Sequence, residues 1–238
     1  MHEQGEGGRR IAFFGGSFDP PHRGHIGIAR AAQQALELDL VLFAPVGVQP
    51  LKPFGATASF EDRVAMTELA IQGLPQFAIS FADAPDPSGE PNYTIDTLHR
   101  LEAHFPSAQL FTLIGADSFL SLGRWYRGDE IPFVAPLIVA SRPGQQLQDM
   151  AAILPSGLTI HEDSQAAEPA ADSSLLAYTI RDQAGRAAPF YLLAGLEIEI
   201  SASEIRRQAG ASPDRLCAGH DLLPDSVCDY IEAHGLYR

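Results

Sequence analysis

Five short segments of this chain are apolar almost from end to end: residues 11–14 (IAFF), 40–46 (LVLFAPV), 77–81 (FAISF), 110–114 (LFTLI) and 137–140 (LIVA). A strand with one face in water alternates apolar and polar residues; a strand that does not alternate is covered on both faces. Between these segments the period becomes helical. His25, Ile28, Ala29, Ala32 and Leu36 fall on one helix face, and Ser59 with Asp62 resembles a capping box opening a helix to about Leu74. Residues 94–105 continue the pattern with a third helix. Strands alternating with helices predict an α/β fold, a doubly wound parallel sheet with helices on both faces. Such sheets bind ligands beyond the carboxyl ends of their strands, where the strand order reverses. Two strands end in glycine, at Gly15-Gly16 and at Gly115, and these ends are the candidates.

The pattern lapses over residues 155–189. The stretch HEDSQAAEPAADSS inside it is acidic, rich in alanine and without period, which predicts a surface insertion. Order returns at 190–193 and 197–200, followed by a helix from about Ser203 and a last one over about 226–234, after Pro224 and before Gly235. The 238 residues suffice for one substantial core. Lysines and arginines number 16 against 30 acidic residues, a net charge of −14. That argues against a general nucleic-acid binder. No apolar run is long enough to cross a bilayer, and MHEQGEGGRR has no apolar core of a leader, so a cytoplasmic location is expected. Cys217 and Cys228 are too few for a disulfide framework and read as small buried hydrophobes or idle thiols. Lys52 is the only lysine, so any chemistry that needs one must use it.

The first glycine-ended strand leads into FGGSFDPPHRGH, residues 14–25. A glycine pair lets the backbone approach a ligand closely. A helix starting just beyond it directs free N–H groups and positive dipole outward, which suits phosphate. The stretch has neither the GK[ST] of a Walker A loop nor GxGxxG. It has His22 and His25, three residues apart, whose rings can face one site and donate to phosphate oxygens. A zinc site would need further ligands at suitable spacing, and none is nearby.

FGGSFDPPHRGH resembles the signature of the nucleotidyltransferase superfamily, whose HxGH motif would be His22, Arg23, Gly24 and His25. ISASEIRR, residues 200–207, resembles its second motif, about 180 residues later. LIGADSFLSLGRWYR (113–127) and NYTIDTL (92–98) resemble the GxDxxxxxxxW and YTxxTL segments of bacterial nicotinate mononucleotide adenylyltransferases, and the ending GLYR is similar to some members. One departure is Leu51, where the family often has histidine before the lysine.

The resemblance implies one Rossmann-like nucleotidyltransferase domain over residues 1–238, with 155–189 as an insertion. It implies adenylyl transfer from ATP to nicotinate mononucleotide, with Mg²⁺ accompanying ATP and no dedicated protein metal ligand. The implied partners are these two small molecules, not nucleic acid or membrane, and a homo-oligomer is left open. The ATP site would be Gly15, Gly16, Ser17, Phe18, His22, His25, Gly115, Asp117, Ser201, Ser203 and Arg206. The mononucleotide would meet Asp19, Lys52, Tyr93, Thr94, Trp125 and Tyr126. His22, His25, Lys52 and Arg206 would carry the catalytic charge stabilisation; Arg207, the next helical residue, points elsewhere. Simpler roles exist for three of these: an exposed loop lysine for Lys52, a helix cap for Asp117 and a core anchor for Trp125. The rivals are an adenylyltransferase acting on nicotinamide mononucleotide or phosphopantetheine, and a non-catalytic nucleotide-binding protein on this fold.

Overall fold

A computed structural model describes residues 8–51, 55–141, 151, 153–162, 175–194, 200–211 and 222–238. Its strands are β1 (Arg10–Gly16), β2 (Leu40–Pro45), β3 (Phe77–Ile79), β4 (Gln109–Gly115), β5 (Leu137–Ala140), β6 (Leu158–Glu162), β7 (Leu175–Asp182) and β8 (Ala187–Leu193). They form one sheet in the order β3-β2-β1-β4-β5-β8-β7-β6. From β3 to β8 every pairing is parallel. The order reverses at β1, which lies between β2 and β4.

The continuous apolar runs have a direct cause. Successive strand residues point to opposite faces, and here both faces are cores. Ala12 and Phe14 of β1 pack on one side with Phe43, Phe111 and Leu113. Ile11 and Phe13 pack on the other with Leu42, Leu110 and Ile114. The first face is covered by α1 (Arg23–Ala35), α2 (Phe60–Ile71), α6 (Ala202–Ala211) and α7 (Asp225–His234); the second by α3 (Thr94–His104), α4 (Ala116–Leu120) and α5 (Ile131–Val134). Ser59 does cap α2, accepting from Asp62 N–H at 3.0 Å. The Asp62 carboxylate also accepts from Tyr230 Oη at 2.9 Å, which ties α2 to α7.

The stretch 155–189 needs correction. Part of it is sheet: β6 and β7 pair antiparallel with each other, and β7 pairs antiparallel with β8. Leu158 and Ile180 are buried in the second core. The signal was weak because β7 is only half-covered along most of its length, so it shows neither alternation nor a continuous apolar run. Residues 163–174, which include most of the acidic stretch, lie outside the described residues, as do 195–199 and Cys217. Cys228 is not an idle thiol, being disulfide-bonded. Among the described residues no helix is long and apolar enough to cross a membrane.

Candidate functional site

A cavity of about 750 Å³ opens at the carboxyl ends of β1, β4 and β5. It lies where the strand order reverses, as the fold class requires. Every candidate residue named above lines it except Lys52, which lies outside the described residues. The cavity therefore brings together the β1–α1 loop, the start of α3, the β4–α4 junction, the Trp125 turn and the start of α6.

The β1–α1 loop is built for close approach. A Cβ on Gly16 would stand 3.1 Å from the Phe18 ring, and one on Gly15 would stand 2.7 Å from the Phe13 ring. Phe18 itself has φ +47°, a conformation that costs a non-glycine residue free energy. Its ring is buried among Phe14, Phe43 and His25, which holds the turn in place.

His22 and His25 cap one another. His22 is the N-cap of α1, and its Nδ1 accepts from His25 N–H at 3.3 Å. His25 Nδ1 accepts in return from His22 N–H at 3.1 Å. The rings stack with centroids 3.6 Å apart. A neutral imidazole that accepts at Nδ1 carries its proton on Nε2. The reciprocal cap thus fixes both rings in the tautomer whose Nε2–H is a donor. Burial pushes the His22 pKa down to about 4, against a smaller opposing effect of the backbone bond. His22 is therefore a neutral donor at pH 7, not a cation.

This has a measurable consequence. Above pH 6.5 the ring is neutral in both folded and unfolded chains. Between pH 6.5 and about 4 the unfolded chain binds a proton that the folded chain refuses, so stability is lost as pH falls. The contribution reaches about 3 kcal/mol near pH 4. His22→Asn keeps a capping side chain and removes the titration. Urea unfolding across pH 4–7 should show a steeper acid loss for the native protein than for this variant, and parallel curves would refute the assignment.

At the second motif Ser201 precedes α6 and its carbonyl accepts from Ile205 N–H. Arg206 Nη2 donates to Ser203 Oγ at 3.2 Å, while Arg207 turns away to pair with Glu204. Arg206 Nη1 donates to the main-chain carbonyl of Asp19 and stands 3.6 Å from its carboxylate. Asp19 lines the cavity, yet its buried carboxylate looks inward: it accepts from Thr57 N–H at 2.7 Å, Ala58 N–H at 3.0 Å and Tyr237 Oη at 2.9 Å. At β4 the cap of α4 is Gly115, and Asp117 is exposed in the first turn.

The other end of the cavity is aromatic. Trp125 is half-buried, with Nε1 donating to Ser121 Oγ at 2.9 Å, so it is both anchored and open to the cavity. Tyr126, 54% exposed, pairs with Tyr93 at 4.6 Å between ring centroids. Tyr93 is the N-cap of α3: its carbonyl accepts from the Asp96 and Thr97 N–H groups, and its side chain makes no cap bond to the Thr94 and Ile95 N–H groups. Sequence reasoning gave no role to several lining residues. Asn92 accepts from Val48 N–H and donates to the Ala84 carbonyl, fixing the loop after β2. Gln49 accepts from Ser17 Oγ at 3.0 Å, and Arg124 adds a cation beside Trp125. Asn92 and Arg124 sat inside quoted motifs as unassigned positions; Gln49 carried no signal of its own.

The chain matches the cytidylyltransferase-like family model over residues 13–208. It is 37% identical over 231 residues to a Gloeobacter violaceus protein named as a nicotinate-nucleotide adenylyltransferase, with 97% of each chain covered. A Pelobacter propionicus protein of the same name is 35% identical, with 96% of this chain and 98% of that one covered. Among solved structures, Plasmodium falciparum nicotinic acid mononucleotide adenylyltransferase complexed with NaAD superposes with a TM-score of 0.69 at 16% identity, covering 96% of this chain and 97% of that one. At that identity the likeness speaks for the fold.

Proposed function

This chain belongs to the nicotinate-nucleotide adenylyltransferases, within the cytidylyltransferase-like family, and from that premise we propose how its cleft works. The enzyme transfers the adenylyl group of ATP to nicotinate mononucleotide, giving deamido-NAD and pyrophosphate in NAD biosynthesis. A phosphate oxygen of the mononucleotide bonds to the α-phosphorus of ATP. The bond from that phosphorus to the bridging oxygen breaks, and its electrons leave with pyrophosphate. No enzyme nucleophile is required. Such transfer depends on in-line positioning and on stabilising charge at the phosphates.

One observation carries the residue assignments: two motifs about 180 residues apart line a single cavity whose far end is aromatic. His22 and His25 donate through Nε2–H to the phosphates. Ser201, Ser203 and Arg206 hold the triphosphate at the start of α6, and Gly15, Gly16, Ser17 and Phe18 line the nucleotide. Asp117, exposed beside Gly115, accepts from ribose hydroxyls. Trp125 stacks on the nicotinate ring, with Tyr93, Thr94 and Tyr126 around it; Lys52 adds phosphate charge from the loop after β2. Asp19 lines the mononucleotide side of the cavity in this reading, while its carboxylate supports the site from behind.

ATP enters as a divalent-cation complex, and Mg²⁺ is the cation we propose. Among the described residues no group of His, Cys, Asp and Glu is arranged to hold an ion. The cation's ligands in this proposal are phosphate oxygens and water. We further propose one nucleotidyltransferase domain and a cytoplasmic setting. Pyrophosphate release from ATP, assayed against nicotinate mononucleotide, nicotinamide mononucleotide and phosphopantetheine, tests the reading. Release is expected to be fastest with nicotinate mononucleotide; a faster reaction with phosphopantetheine would overturn it.

A further inference from the structure

The ending GLYR has no part in the chemistry described so far, yet Tyr237 is buried and reaches Asp19, 218 positions earlier. Asp19 occupies a critical place, since its main-chain carbonyl accepts from Arg206 while its carboxylate stands 3.6 Å from the same guanidinium. The carboxylate is buried, and its charge must be met by donors. Three donors other than arginine meet it: the Thr57 and Ala58 N–H groups and the Tyr237 hydroxyl. Arg206 is therefore not drawn into a close two-pronged pair with Asp19. Its side chain stays 28% exposed and lines the cavity.

We infer that Tyr237 is a positioning residue: by hydrogen-bonding Asp19 it keeps Arg206 aimed at the nucleotide phosphates. The inference rests on the proposed role of Arg206 as a triphosphate ligand. Without the hydroxyl, Asp19 Oδ1 keeps only the Ala58 N–H. Of the two arginines that feel the Asp19 charge, Arg63 donates to the Ser17 carbonyl, whereas Arg206 already stands 3.6 Å from the carboxylate, and carboxylates favour bidentate guanidinium pairing. An arginine closed onto Asp19 is partly neutralised and turned from the cavity. Burial raises the Tyr237 pKa, with Asp19 adding to the effect, so the hydroxyl remains a donor throughout the working pH range.

The test uses Tyr237→Phe, which keeps the ring and deletes one hydrogen bond. The KM for ATP should rise about tenfold, the scale of one hydrogen bond to a charged group. The KM for nicotinate mononucleotide should change less than twofold. A merely structural hydroxyl would instead lower melting temperature and kcat and leave both KM values alone. Arg206→Gln and the double variant complete a cycle. If Tyr237 acts through Arg206, Tyr237→Phe has no effect on the ATP KM in the Arg206→Gln background. A Tyr237→Phe enzyme with native ATP KM, one that fails to fold, or an effect that persists without Arg206 would each overturn the inference alone. An unchanged ATP KM in Arg206→Gln would remove the triphosphate role of Arg206, and the inference with it.

Discussion

His25→Ala should lower kcat by about two to three powers of ten. The loss is that of one preorganised donor at a site of developing charge, worth about 2.7–4 kcal/mol in comparable sites. The tautomer fixed by the His22 N–H bond is the reason the donor is preorganised. The same bond sets a second, smaller cost. Alanine cannot return the cap, so α1 should lose about 1 kcal/mol of local stability. The two effects separate in measurement, because kcat falls far more than so small a loss of folded enzyme explains. Single-turnover rates at saturating substrates read the first, and thermal unfolding reads the second. Near-native turnover in a folded variant would remove His25 from the mechanism.

The second large effect is substrate choice. Nicotinate carries a carboxylate and nicotinamide a neutral amide. Thr94 opens α3 behind a cap residue that makes no side-chain bond, and both residues line the cavity, so the positive end of the helix dipole and the first N–H groups of α3 are the donors the proposed site offers a carboxylate beside Tyr93. Charge-assisted hydrogen bonds are roughly twice as strong as neutral ones. The amide also brings NH₂ donors against those N–H groups and leaves buried donors unpaired. If two such bonds differ by about 1.5–2 kcal/mol each, kcat/KM should favour the acid on the order of 100-fold or more. In the proposed site Trp125, its ring fixed by the Ser121 bond, would stack on both bases equally. Trp125→Ala should therefore weaken both substrates and preserve their ratio. Equal kcat/KM for the two mononucleotides in the native enzyme would refute the carboxylate site.

The parallel half of the sheet was legible because burial on both faces leaves a plain mark: an apolar run with no alternation, as in 40–46 or 137–140. The antiparallel half was not. β7 at Leu175–Asp182 is only half-covered along most of its length, and the acidic stretch before it masks the strands on either side. The cavity's motifs were legible on chemical grounds, since a glycine pair and two histidines at one strand-to-helix turn suit close approach to a phosphate. The orientation of Asp19 could not be read. Its partners Thr57, Ala58 and Tyr237 lie 38, 39 and 218 positions away, and no local pattern encodes which of two sides a carboxylate serves. The pairing of Tyr93 with Tyr126 likewise depends on how two loops meet.

The reciprocal cap of His22 and His25 couples occupancy to order. The first turn of α1 exists in the form described only while both rings accept from the backbone. A ligand that takes up the two Nε2–H donors binds that ordered turn and not a frayed one. By mass action it then stabilises the turn by RT ln(1 + [L]/Kd), about 2.7 kcal/mol at a hundred times Kd. If nucleotide phosphates are that ligand, as proposed, the local opening of this helix end, read by amide hydrogen exchange, becomes a gauge of nucleotide concentration.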